Sequence, residues 1–207
     1  MSFKAYRAID LCIMTAIIII GELILSFASN VWFKLDSLAI SITLPILLIV
    51  SMRWGWRVVY PAAIGGLMSC LFSQISGGQK FTLQLLLISE VGTLTILFSL
   101  VWFKLIGKQK TKENLAIALC FAIVMYLLNS VGSGIATAIV NGDGLFACIV
   151  LYFTRNSITC LFAAIIIIIV RKLDGVFEDQ KTYLLRLEKQ KEQEKLKANK
   201  QTENNKQ

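Results

Sequence analysis

Histidine is absent from all 207 residues, and that absence removes whole classes of chemistry. Ser-His and Cys-His nucleophile pairs are excluded, and with them most zinc sites. The five cysteines (Cys12, Cys70, Cys120, Cys148 and Cys160) fall inside apolar stretches and form no metal-like pair. They read as small apolar packing residues. No enzyme, no metal site and no cofactor is expected. A Walker-type Gly-x-x-x-x-Gly-Lys run is also missing, so any ATP hydrolysis must belong to partners. No small-residue cleavage site follows the first apolar run, which is therefore expected to stay as a membrane helix.

What the chain has in quantity is apolar sequence. Hydrophobic residues make up 56% of it, and the mean hydropathy is +0.69. Repeated runs of spanning length exclude an ordinary soluble domain and predict an all-α, polytopic membrane protein. Six transmembrane helices are expected, at about 8–28, 37–52, 58–75, 81–105, 115–140 and 145–171. Segment two contains Pro45, which can kink it. Segment five carries Gly132 and Gly134 in what reads as a flexible string. Residues 1–172 form the six-helix bundle. Residues 173–207 form a charged tail, in which Val176, Phe177, Tyr183, Leu184 and Leu187 recur at helical spacing before a solvated or disordered end.

The net charge of +8 would suit nucleic acid, but its placement argues against that. Lys4, Arg7, Arg53, Arg57, Lys104, Lys108, Lys110 and Lys112 fall on one side of a six-span fold, Lys34 and Lys80 on the other. Eight against two places both termini in the cytoplasm. The basic residues thus follow the bilayer, and no nucleic acid is expected. In the outer loop, Trp32 and Phe33 read as an interfacial anchor or as a lid.

Against this apolar background the buried polar residues stand out. A charge at the bilayer centre costs about 3 kcal/mol on insertion scales, so it normally faces a partner or a wet cavity. Helical rise places Glu22, Glu90, Asn129 and Arg155 between the midplane and the outer surface. Segments running in opposite directions have put their polar groups at one level, and Asn156, Tyr152 and Gln84 add to it. Glu22, Glu90, Asn129, Arg155 and Asn156 are therefore the candidate ligand residues. A structural ion pair between Arg155 and one glutamate is the plainer reading. Two carboxylates to one guanidinium favour a cationic or zwitterionic ligand if the group is a pocket. Ala8, Cys12 and Ala16, four apart on segment one, form a small-residue stripe that lets another helix approach closely.

Six helices, an outward polar pocket and this stripe, with YRAIDL at Tyr6, MRWGW at Met52, LYFTRNS at Leu151 and RKLDGVFEDQKTYLLRL from Arg171, resemble the S component of energy-coupling factor transporters. The resemblance covers nearly the whole membrane region. It implies capture of a vitamin-like micronutrient, followed by docking on a transmembrane coupling protein and two ATPases in the cell membrane. The docking face would be Ala8, Cys12 and Ala16, with cysteine where the family pattern has alanine. Two other readings of the residues stay open: a membrane scaffold of cell-shape or envelope machinery, and a membrane sensor subunit.

Overall fold

In a bilayer a chain must satisfy its backbone polar groups internally, and every regular element among the described residues is helical. The computed structural model describes residues 3–29, 40–77 and 81–204, with side chains to residue 194. Trp32, Phe33, Lys34 and Lys80 lie outside the described residues. The helices are α1 (Phe3–Phe27), α2 (Thr43–Trp54), α3 (Val59–Ser76), α4 (Leu83–Leu94), α5 (Ser99–Leu105), α6 (Lys108–Glu113), α7 (Leu115–Asn141), α8 (Leu145–Arg155), α9 (Ser157–Val170) and α10 (Gln180–Asn204).

Four stretches are long and apolar enough to cross a membrane: Phe3–Phe27, Thr43–Ser76, Leu83–Leu105 and Leu115–Asn141. The pair α8 and α9, bent by 50°, makes a fifth if it counts as one span. The stretch Thr43–Ser76 is no straight rod. A methyl group placed on Gly65 would come within 2.6 Å of Thr43 Cγ2, whereas 22 residues of straight helix would hold them about 33 Å apart. The chain reverses at Gly55, whose φ of 59° suits glycine. Thus α2 and α3 are the two arms of a hairpin.

The core is built around α2. All twelve of its residues are buried, and α1, α3, α7 and α9 pack on it. Its sequence, TLPILLIVSMRW, is apolar on every face but for Thr43, Ser51 and Arg53, as an enclosed helix requires. Around it α1 packs along α3, α3 along α4, α4 along α7, and α7 along α8 and α9. The closest approach of a glycine to another helix's backbone is at Gly134, where an added Cβ would meet the Ile149 backbone at 2.8 Å. Gly132 and Gly134 are buried within α7, and so close helix contact replaces the expected flexible string.

Other boundaries differ from the sequence reading for identifiable reasons. Pro45 is the third residue of α2, in the first turn, where a missing N–H forfeits no intrahelical bond, so no kink is required there. The basic loop after segment four holds a short helix, α6, entered through Gly107 at φ 93°. The Asn114 side chain then caps α7 by accepting from the Ala116 and Ile117 N–H groups.

The tail helix starts at Gln180, later than its apolar periodicity suggests. Residues 171–179 form turns, with Gly175 at φ 73°. Asp179 accepts from the Lys181 and Thr182 N–H groups and so caps α10. These turns plug into the bundle end at which α1 begins and the α2–α3 hairpin turns. Phe177 is fully buried. Arg53, 6% exposed, donates to both Asp10 oxygens at 2.9 and 2.6 Å and to the Gly175 carbonyl at 2.6 Å. Trp54 Nε1 also donates to Asp10, and the Tyr6 hydroxyl to Gln180. Lys108 pairs with Asp179, and Glu178 takes both Lys112 and Arg186. Part of the basic excess at this end is thus committed to tying α1, α2 and the tail together.

Candidate ligand site

The central helix is too short to cross. Twelve residues rise about 18 Å, against a hydrocarbon core of about 30 Å. The space beyond its N-terminus, at the bundle end opposite the Gly55 turn, is a cavity of about 310 Å³. Helices from all around the bundle contribute to its wall: Glu22 and Ser26 from α1, Thr43 and Leu47 from α2, Ser73 and Gln74 from α3, Ser89 and Thr93 from α4, Asn129 and Ser133 from α7, and Tyr152, Arg155, Asn156 and Thr159 around the α8–α9 bend. Hydroxyl and amide groups dominate the lining.

Glu22 forms the floor with the start of α2. It is 1% exposed. Its Oε1 accepts from the Thr43 N–H at 2.9 Å, the Thr43 hydroxyl at 2.7 Å and the Ser41 hydroxyl at 2.5 Å. The first N–H groups of a helix have no partner within it, and the helix dipole favours negative charge there. The α1 carboxylate therefore serves as a cap for α2, supplied from another helix because Ile42, at the cap position, has no polar side chain.

Arg155 is the opposite case. It lines the cavity and is exposed. Among the described residues its guanidinium pairs with no carboxylate: the ion pairs are Arg53–Asp10, Lys108–Asp179, Lys112–Glu178 and Arg186–Glu178. It sits in the last turn of α8, immediately before the bend at Asn156. The α8 side of this bend is tied to α7 by the Tyr126 hydroxyl, which donates to the Phe153 carbonyl.

Of the sequence-predicted ligand residues, Glu22, Asn129, Arg155 and Asn156 come together in this one cavity. Glu90 is not among its lining residues and packs against Gly66 on α3, where an added Cβ would meet its Cδ at 3.0 Å. Its neighbour Ser89 reaches the cavity wall and donates to the Gly66 carbonyl at 2.8 Å. Gln84 is exposed and does not line the cavity. Sequence reasoning missed Gln74, which is 5% exposed. Its Nε2 donates to Cys70 Sγ at 3.1 Å, and its Oε1 is buried with no hydrogen-bond partner among the described residues. The signal was available: Ser69, Cys70, Ser73 and Gln74, at i, i+1, i+4 and i+5, share one helix face. Ala8, Cys12 and Ala16 are all exposed on α1, away from this cavity.

No family model, curated protein or solved structure matches the chain. Among the described residues, no group of His, Cys, Asp or Glu could hold a metal ion.

Proposed function

We propose that this chain is a solute-capturing membrane subunit: it binds a small molecule in the cavity above α2 and passes it to an uptake system. The observation that carries the reading is the cavity itself, which is polar, open and walled by helices from all around the bundle. A purely structural polar cluster would be expected to close on itself. Here, among the described residues, Arg155 stays unpaired and Gln74 Oε1 has no partner. Small-molecule sites are concave and have a few convergent polar groups of this kind.

Counting both arms of the α2–α3 hairpin and the bent α8–α9 pair once, the chain makes six passes. The charge bias of eight against two then puts both termini in the cytoplasm and the cavity toward the outside. Within that class, the particular protein it resembles is the S component of an energy-coupling factor transporter. On that reading a transmembrane coupling protein and ATPase subunits dock along Ala8, Cys12 and Ala16, whose small side chains are exposed. The partners supply the energy.

The decisive experiment is purification of the whole chain followed by mass spectrometry of small molecules that accompany it. A bound solute released by denaturation is expected. A chain that is always recovered empty, and that no solute stabilises, would refute the proposal. Reporter fusions test orientation independently: a fusion after Asp143 should read outside, and fusions after Lys110 or at Gln207 inside.

A further inference from the structure

We infer that the cavity selects a small oxyanion, a carboxylate or phosphate carried on a compact polar molecule, with Arg155 as its anchor and Gln74 as a second contact. The inference rests on the reading of the cavity as a ligand site and names the ligand's chemistry.

The argument starts from which charged groups are already used. Among the described residues the cavity wall carries one carboxylate, Glu22, and one guanidinium, Arg155. Glu22 Oε1 is occupied by three donors at the end of α2, so much of its capacity to hold an ammonium group is spent within the protein. The second carboxylate, Glu90, is turned toward Gly66 and is not part of the wall. Among the described residues nothing comparable occupies Arg155. Its planar fork matches two oxygens of a carboxylate or phosphate and needs such a partner in a low-dielectric setting. The balance of free groups is therefore cationic, the reverse of what counting charges along the sequence suggests.

Gln74 supplies an independent observation. A buried amide oxygen without a partner among the described residues is costly, and the side chain that carries it belongs to a residue of the cavity wall. It calls for a ligand N–H or O–H. The surrounding Ser26, Ser73, Ser89 and Ser133 hydroxyls donate or accept as required. The volume, about 310 Å³, equals that of roughly ten liquid waters. That is room for a molecule on the order of ten non-hydrogen atoms, with an acidic group at one point and a hydrogen-bond donor at another.

The test uses the full chain in lipid nanodiscs, with thermal stability and native mass spectrometry as readouts. The probes are monocarboxylates of roughly eight to fourteen non-hydrogen atoms, each beside its methyl ester; inorganic phosphate; and nanodiscs of phosphatidylcholine with or without phosphatidylglycerol. At least one acid is expected to stabilise the chain saturably while its ester does not. Arg155→Gln should weaken that binding by about ten- to a hundredfold, whereas Lys104→Gln leaves it unchanged. Gln74→Met should also weaken it and leave the empty chain at least as stable, since it removes a partnerless oxygen. Stabilisation by phosphate that disappears in Arg155→Gln supports the same recognition. Stabilisation by phosphatidylglycerol alone, lost in Arg155→Gln, keeps the oxyanion but assigns it to a lipid headgroup and refutes solute capture. Esters binding as well as acids, a co-purified ligand without an acidic group, or unchanged affinity in Arg155→Gln overturns the oxyanion inference and leaves the cavity a binding site. No stabilisation by any probe, with no bound mass in the native spectrum, overturns both.

Discussion

Removing the Glu22 carboxylate tests the construction of the cavity floor. Three donors converge on Oε1, and two of them, the N–H and hydroxyl of Thr43, belong to the first residue of the central helix. Glu22→Ala takes the acceptor from all three and leaves the Thr43 N–H only Ser41 Oγ, at 3.1 Å. Hydrogen bonds to charged groups contribute about 1.5–3 kcal/mol each, but three on one atom are not additive, so the expected loss is about 3–5 kcal/mol. Glu22→Gln keeps an acceptor oxygen and gives up the charge at the helix end, which is worth up to about 2 kcal/mol. For a chain of this size those losses correspond to falls in Tm of very roughly 10 °C and 4 °C. A thiol-reactive fluorophore in detergent can follow unfolding through buried Cys70 and Cys148, after the exposed Cys12 and Cys120 have reacted. If Glu22→Ala unfolds within about 2 °C of the parent, the three contacts do not support α2 and the capping argument is wrong. If Glu22→Gln is as damaging as Glu22→Ala, charge at the helix end outweighs the acceptor itself.

Three further predictions use the same logic elsewhere. Asp10→Asn should cost less than Arg53→Ala. The latter leaves the Asp10 carboxylate without its cation and with Trp54 Nε1 as its remaining donor, and leaves the Gly175 carbonyl to Gln180. It costs about 3 kcal/mol and should expose residues 171–180 to limited proteolysis; an unchanged cleavage pattern would show that the tail docks without Arg53. Gly134→Ala should destabilise the α7–α8 contact by about 1–3 kcal/mol, since the atoms it meets are Ile149 backbone; a thermal shift of zero would mean that α8 can move aside. Cys12→Trp or Ala16→Trp should abolish uptake in cells while ligand affinity of the isolated chain is unchanged, and parallel loss of both would place this face in the internal packing.

Depth was readable from the sequence, and direction around each helix was not. The rise per residue brought Glu22, Asn129, Arg155 and Asn156 to one level, and all four line one cavity. The same reasoning gave Glu90 the right depth. One residue is a step of about 100° around the axis, and that step separates Ser89, in the wall, from Glu90, against Gly66. The start of α2 was hidden because Ile42, at the cap position, is apolar and continues the pattern of the helix, with only Ser41 before it offering an acceptor to the Thr43 N–H. The cap comes from Glu22, on a different helix. Likewise Val176 and Phe177 keep a helical period although Gly175 turns the chain there. Their apolar character serves a plug into the bundle, which periodicity cannot distinguish from a helix face.

The short central helix also sets how such a protein could change its cargo. In most sites, resizing a pocket means exchanging large side chains for small ones and repacking what lies behind them. Here the depth of the chamber is set by where one helix begins. Each residue added to the front of α2 would raise the floor by about 1.5 Å, and a full turn by about 5.4 Å. Each turn removed would deepen it by the same amount, about 5.4 Å, with the acceptor on α1 moving by one turn to follow. Volume would thus be adjusted in fixed increments by chain length, while the outer helices keep their contacts.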